Sequence, residues 1–154
     1  MKMIAFEPRH LRAIADRDGG AEEYRRLGEY LMATHPWIAY SAVRGGSLVG
    51  ACGFIFGPLA GANLYVAAGE AYAWAVLAPE IASCGARFHR HMKMYCRAVA
   101  RTLGLKRVWA EALAASERNC RWLVALGFKP LGASHDLVTA QGERIARFVW
   151  QEEN

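Results

Sequence analysis

The fold is decided by residues 115–129, which read ASERNCRWLVALGFK. Serine is a residue type that caps helix N-termini, so Ser116 predicts a helix that continues through Leu126. Gly127 follows the last apolar position of this helix, and glycine readily adopts the left-handed conformation that ends a helix. The residues that follow, 128–131, then favour a strand. This stretch therefore predicts a helix, a sharp stop and a strand.

A longer helix is predicted upstream, over residues 86–103, followed by Gly104 and a strand over residues 106–113. Apolar and basic residues each recur at helical spacing, so one face packs on a core and another is charged. The apolar face consists of Phe88, Met92, Tyr95, Val99 and Leu103, and the basic stripe consists of Arg87, Arg90, Lys93, Arg97 and Arg101.

The beginning of the chain predicts one strand and two helices. The pattern of side chains over residues 3–7 alternates enough to predict a strand. Pro8 then fits the first turn of a helix that runs toward Asp18. Residues 21–34 favour a second helix, because apolar residues recur on one face and Pro36 follows it.

A β-hairpin and a central strand are predicted next. Residues 37–43 and 48–56 favour strands, and the turn Arg44-Gly45-Gly46-Ser47 separates them. The unbroken apolar run over 71–77 predicts a strand that is central in its sheet and buried on both faces. With a closing strand over 145–150, the order of elements predicts a mixed sheet with helices on both faces.

Length and composition predict a single domain over residues 1–154. The chain has a mass of 17.0 kDa and 54% hydrophobic residues, enough for a two-layer core without disulfides or metal. No apolar run reaches the roughly 18 residues of a membrane span, and Glu7 comes too early for a signal peptide. The four cysteines form no CxxC pair. We therefore expect a cytoplasmic protein without a metal site.

Positive charge is concentrated in one third of the chain. The net charge is +5, yet residues 84–129 contain ten basic and two acidic side chains, against nine basic and twelve acidic elsewhere. An anionic ligand or partner is expected to bind there. The basic stripe lacks interleaved aromatic residues, which argues against sequence-specific nucleic-acid binding. The stripe is either a solvated helix face, a surface for an anionic partner, nucleic acid included, or a site whose first residues bind the phosphates of CoA.

These elements and motifs resemble the GNAT superfamily of N-acyltransferases. Residues 115–129 look like the family's penultimate helix with its LGF turn, and residues 44–50, RGGSLVG, are similar to its hairpin. The resemblance covers essentially the whole chain. It implies an α/β fold with a mixed, mostly antiparallel sheet flanked by helices on both faces. Within the superfamily, the short length and the RWL and LGF motifs look most like small phage-encoded members.

The resemblance implies that the chain binds acetyl-CoA. In the family, the central strand diverges from its neighbour and offers backbone groups to pantetheine, and a glycine-rich turn and a helix N-terminus bind the pyrophosphate. The turn of this chain departs from the family pattern, because Ala82 stands where the family has Arg and Arg87 where it has a small residue. Gly85 matches the middle glycine of the family's turn. The resemblance thus implies Val76 and Ala78 for pantetheine and Cys84, Gly85, Ala86, Arg87 and Arg90 for the phosphates.

Acyl transfer to an amine needs a base, an oxyanion donor and an acid. Glu70 lies at the start of the central strand, where some family members have their base, so we predict it as the catalytic base. Glu111 and Glu80 are less favoured candidates for the catalytic base. The tyrosine acid that the family often places four residues before the LGF glycine is absent, because this position is Leu123.

Two functions stay open. The first is a cytoplasmic N-acetyltransferase that transfers an acetyl group from acetyl-CoA to an amine of a small molecule or a protein, with the acceptor unidentified. The second is a catalytically silent GNAT-like structural or interaction protein, for example an internal protein of a phage virion, whose basic helix 86–103 faces an acidic protein partner. C-terminal hairpins of this fold often pair between subunits, so a homodimer is compatible with either function.

Overall fold

The structure is a computed structural model and describes residues 1–18, 33, 37–56 and 69–151. Apart from residue 33, the helix predicted over 21–34 lies outside these residues. Two short 3₁₀ turns, Pro79–Ser83 and Ala133–His135, occur among the described elements. The helices and strands are β1 (Lys2–Ala5), α1 (Pro8–Asp18), β2 (Trp37–Arg44), β3 (Ser47–Ile55), β4 (Glu70–Leu77), α2 (Gly85–Thr102), β5 (Arg107–Leu113), α3 (Glu117–Leu126), β6 (Lys129–Pro130), β7 (Leu137–Val138) and β8 (Arg144–Gln151).

The described strands form one sheet in the order β1-β2-β3-β4-β5-β8-β6, and β7 pairs with β8. Strands β4 and β5 are parallel, and the other pairs are antiparallel. Parallel neighbours need a crossover, which α2 provides here. This arrangement confirms the predicted α/β fold class, and β4 is central as expected.

Helices cover both faces of the sheet. Successive residues of a strand point to opposite faces, so Ala51 packs with Leu11 and Ile14 of α1 on one face. The next residue, Cys52, belongs to the core on the other face, where α2 contributes Phe88 and α3 contributes Leu123 and other apolar residues. No helix in the described ranges has both the length and the apolar character that crossing a membrane would require.

The end of α3 is as predicted. Gly127 has φ of 105° and donates its N–H to the Val124 carbonyl over 2.9 Å, which closes the helix. Ser116 stands at the N-cap position, but its side chain makes no capping hydrogen bond. The predicted start is correct, whereas the capping contact is not observed.

Gly53 marks a very close approach of β3 to β2. A Cβ at this position would lie 2.5 Å from the carbonyl oxygen of Ile38 and 2.6 Å from the Cβ of Ala39. Both atoms belong to the paired strand and cannot move without separating the ladder. The sheet therefore requires glycine here.

We expect Gly53→Ala to lower the free energy of unfolding by about 1–3 kcal/mol or more, because the added methyl group overpacks β2 against β3. Gly85→Ala is the matched control, since no atom lies within 4 Å of its Cβ position and alanine is the better helix former. Urea denaturation of both variants measures the difference. Equal losses at the two sites would contradict this account.

Candidate functional site

Strands β4 and β5 pair over a short distance and then diverge. The parallel ladder consists of Glu70 with Arg107, Ala71 with Val108 and Tyr72 with Trp109. Beyond it, β4 stays paired with β3 through Leu77, and β5 stays paired with β8 through Leu113. A cleft therefore opens between the C-terminal halves of β4 and β5, which we call the β4–β5 cleft.

The cleft changes the burial of the central strand. The prediction that β4 is buried on both faces is wrong, because Ala71 alone in this strand is buried and Ala75 is exposed. A central strand whose neighbour has turned away leaves its side chains and backbone accessible. Sequence periodicity could not show this, because the apolar composition of β4 is the same whether or not β5 follows it.

Hydrogen bonds fix the direction in which each backbone group of β4 points. The Ala78 N–H donates to Val49 of β3 over 3.1 Å, and the Ala78 carbonyl accepts from Ile81 over 3.0 Å. At the other end of β4, the Gly69 carbonyl accepts from Lys106, on the β5 side, over 2.8 Å.

Successive residues of a strand direct their backbone groups to opposite neighbours. Val76 shares the direction of Ala78 toward β3, whereas Ala75 and Leu77 share the direction of Gly69 toward the cleft. Both backbone groups of Ala78 are already bonded and those of Val76 point toward β3, so the contact of these two residues with pantetheine stays a prediction. The backbone N–H and C=O groups of Ala75 and Leu77 point toward the cleft instead.

Free N–H groups at the start of α2 follow directly after β4 and the 3₁₀ turn. The carbonyl of Cys84, the N-cap residue, accepts from Arg87 and from Phe88 over 3.0 Å in each case. The N–H groups of Gly85 and Ala86 have no acceptor among the described residues. Because Gly85 also has open space around its Cβ position, an anion can reach these N–H groups closely.

Cationic side chains surround this helix start. Arg87 and Arg90 are exposed on the first turns of α2. Arg44, at the end of β2, donates a hydrogen bond to Ser83 Oγ, which itself donates to the carbonyl of Glu80 over 2.7 Å. Sequence reasoning missed Arg44, because this contact joins residues far apart in the chain and no local pattern signals it.

Most of the basic stripe faces solvent along α2. Arg87, Arg90 and Arg97 are exposed, and none of them forms an ion pair within the described part of the chain. The side chains are thus accessible to an anionic ligand. The acidic protein partner expected for this helix stays a prediction.

Glu70, the predicted base, joins β4 to β5. Its carboxylate accepts the indole N–H of Trp109 over 2.8 Å and a guanidinium N–H of Arg107 over 3.3 Å. The side chain is only 12% exposed. Both oxygens are thus engaged in holding the parallel ladder together.

Glu111, a less favoured candidate in the sequence, lies in the half of β5 that borders the cleft. It pairs across β5 and β8 with Arg147, whose Nε lies 3.4 Å from Glu111 Oε1. Burial raises the pKa of the Glu111 carboxyl above its ordinary value, and the Arg147 guanidinium acts in the opposite direction. The Glu111 carboxyl therefore holds its proton to a higher pH than an exposed glutamate does.

In overall structure the chain is similar to several solved N-acetyltransferases. A mutant of spermidine N-acetyltransferase SpeG from Vibrio cholerae has a TM-score of 0.66 at 13% identity, covering 98% of this chain and 95% of that one. Ribosomal-protein-S5-alanine acetyltransferase from Vibrio fischeri has a TM-score of 0.67 at 11% identity, with coverages of 99% and 93%. A protein from Desulfovibrio desulfuricans assigned to the GNAT family of acetyltransferases has a TM-score of 0.69 at 16% identity, with coverages of 97% and 98%.

This chain has the GNAT fold. By sequence alone, neither a protein-family model nor a curated protein matches it. The likeness is therefore one of architecture, and it confirms the fold that residues 115–129 and the order of elements implied. Within the GNAT fold of this chain, the β4–β5 cleft and the start of α2 are adjacent, so backbone and charged groups converge there.

We expect Glu70→Ala to lower the free energy of unfolding by about 1–3 kcal/mol, because the Trp109 N–H loses its acceptor and Arg107 its ion pair. Glu70→Gln retains an oxygen that can accept from Trp109 and should recover most of this loss. Chemical denaturation of the two variants beside the wild type measures the effect. Two variants as stable as the wild type would show that Glu70 does not hold the strands together.

Proposed function

We propose that the chain is an N-acetyltransferase that transfers the acetyl group of acetyl-CoA to an amine of a small molecule or a protein. The observation that carries the proposal is the divergence of β4 and β5 after three residue pairs. A central strand of a sheet is rarely left without its neighbour unless another chain or a ligand completes its hydrogen bonds. The spermidine and ribosomal-protein-alanine acetyltransferases that share this fold support an amine acceptor by their names.

Residues of the cleft fit the two parts of an acyl-CoA. The backbone groups of Ala75 and Leu77 would bond the amides of the pantetheine arm in the place of β5. The pyrophosphate would lie at the N–H groups of Gly85 and Ala86, with Arg87 beside it. An extended arm with amide groups can form hydrogen bonds with a strand edge, and a phosphate can accept hydrogen bonds from the N–H groups at a helix N-terminus. Each part of acyl-CoA would therefore bind groups that match it.

Arg44 and Arg90 extend this phosphate site. The turn of this chain lacks an arginine at Ala82, but Arg44 brings a guanidinium to the neighbouring Ser83 from β2. A guanidinium can donate several hydrogen bonds, so its contact with Ser83 leaves further donors for a phosphate. This supply of charge from a distant strand supports the enzyme over the catalytically silent alternative.

Calorimetric titration of the purified protein with acetyl-CoA is the direct test, and we expect saturable binding. Arg44→Gln and Arg87→Gln should each weaken binding about tenfold or more, because each removes a charge-assisted hydrogen bond. Arg97→Gln is the matched control on the same helix, farther from its start, and should bind as the wild type does. No heat and no melting shift at millimolar acetyl-CoA would contradict the proposal.

A bulky side chain in the cleft provides a second test. Ala75 is exposed, so Ala75→Phe should fold with nearly unchanged stability, yet the ring would fill space that the pantetheine arm needs. We expect acetyl-CoA binding to be lost and the melting temperature to stay close to that of the wild type. Unchanged affinity would place the ligand elsewhere.

A further inference from the structure

An apolar side chain stands exposed in the middle of the charged side of α2. Met94 is 65% exposed to solvent. Three arginines lie on the same side of the helix, within about 60° of its circumference at 3.6 residues per turn. They are Arg90, Arg97 and Arg101, and all of them are exposed. We call these three arginines together with Met94 the Met94 surface.

The positive charge of the Met94 surface is not balanced along its own helix. Helix α2 contains neither aspartate nor glutamate, although solvated helix faces commonly carry both signs of charge. Arg90 and Arg97 form no ion pair with any residue that the structure describes. Like charges three and four residues apart on a helix repel each other, so a negatively charged partner would relieve this repulsion.

We propose that the Met94 surface binds an acidic segment of another protein, in which carboxylates pair with the arginines and an apolar side chain contacts Met94. This inference does not depend on the proposed transfer of acetyl groups. It gives a role to the part of α2 beyond its start, where the phosphates of acetyl-CoA would bind. Arg90 borders both sites, whereas Arg97 and Met94 belong to the Met94 surface alone.

The composition of the Met94 surface favours a protein over a nucleic acid. Methionine and arginine are enriched in interfaces between proteins, whereas lysine is depleted there. All three charged residues of the surface are arginines, and methionine is a flexible apolar residue that adapts to the shape of a partner. Surfaces that bind single-stranded nucleic acid stack bases on aromatic side chains, and the Met94 surface has none.

Spacing along α2 defines the kind of segment that would fit. Arg97 lies about 10 Å from Arg90 and about 6 Å from Arg101 along the helix axis, with Met94 between the first two. A guanidinium can bind a carboxylate through two parallel hydrogen bonds. A partner helix that runs parallel to α2 would therefore match the surface with glutamates at positions i, i+7 and i+11 and a leucine at i+4.

An alanine-based peptide of about 18 residues with this pattern is the probe, because shorter isolated helices are only marginally stable. Nuclear magnetic resonance of protein labelled with ¹³C at the methionine methyl groups locates its binding, and Met94→Gln assigns the Met94 signal. We expect the Met94 signal to shift until it saturates, while the signal of the buried Met92 changes little. Added salt should weaken binding, because exposed charges are screened.

Calorimetric titration with the same peptide compares three variants. Arg97→Gln should weaken binding about tenfold, because a charge-assisted pair of hydrogen bonds is lost. Met94→Gln keeps the length of the side chain but removes its apolar contact, so it should also weaken binding. Lys2→Gln is the control, since it removes one positive charge from an exposed residue of the edge strand β1, and it should bind as the wild type does.

Wild-type affinity in both Arg97→Gln and Met94→Gln would overturn the inference, as would a Met94 signal that does not move at millimolar peptide. Tighter binding of a uridine oligonucleotide than of the peptide at the same salt concentration would overturn the choice of a protein as the partner. Failure of the wild type to bind acetyl-CoA would refute the proposed function alone, because the peptide titration contains no cofactor.

Discussion

Three residue pairs join the two halves of the sheet, and the site depends on this short ladder. On one side β1, β2, β3 and β4 form antiparallel pairs, and on the other β5 pairs with β8. A longer ladder between β4 and β5 would satisfy the backbone of β4 and close the cleft. Without the three pairs, the two halves of the sheet would separate. Glu70 reinforces these pairs with bonds to Arg107 and Trp109.

Local signals in the sequence predicted much of the fold. The stop at Gly127, the hairpin turn at Gly45 and Gly46 and the long helix α2 each depend on residues close together in the chain, and the structure confirms them. The positive φ of each of these glycines is a backbone requirement that a short sequence window reveals. The order of such elements was then enough to indicate the fold.

Features that depend on pairing between distant segments were not predictable in this way. The sequence places Val76 and Ala78 on the central strand but not the direction of their backbone groups, which the bond from Ala78 to Val49 determines. The same holds for Arg44, whose partner Ser83 lies on another element, and for Glu111, whose surroundings depend on β8. The contact of Arg44 with Ser83 and that of Arg147 with the half-buried Glu111 thus arise only in three dimensions.

Amide hydrogen exchange along β4 tests most directly whether the cleft receives acyl-CoA. In the free protein, the account predicts slow exchange at Trp74 and Val76, whose N–H groups face β3, and fast exchange at Ala75 and Leu77, which face the cleft. Saturating acetyl-CoA should slow exchange at Ala75 and Leu77 and leave the other two unchanged. Protection of Ala75 and Leu77 already in the free protein, or no added protection with acetyl-CoA bound, would contradict the account.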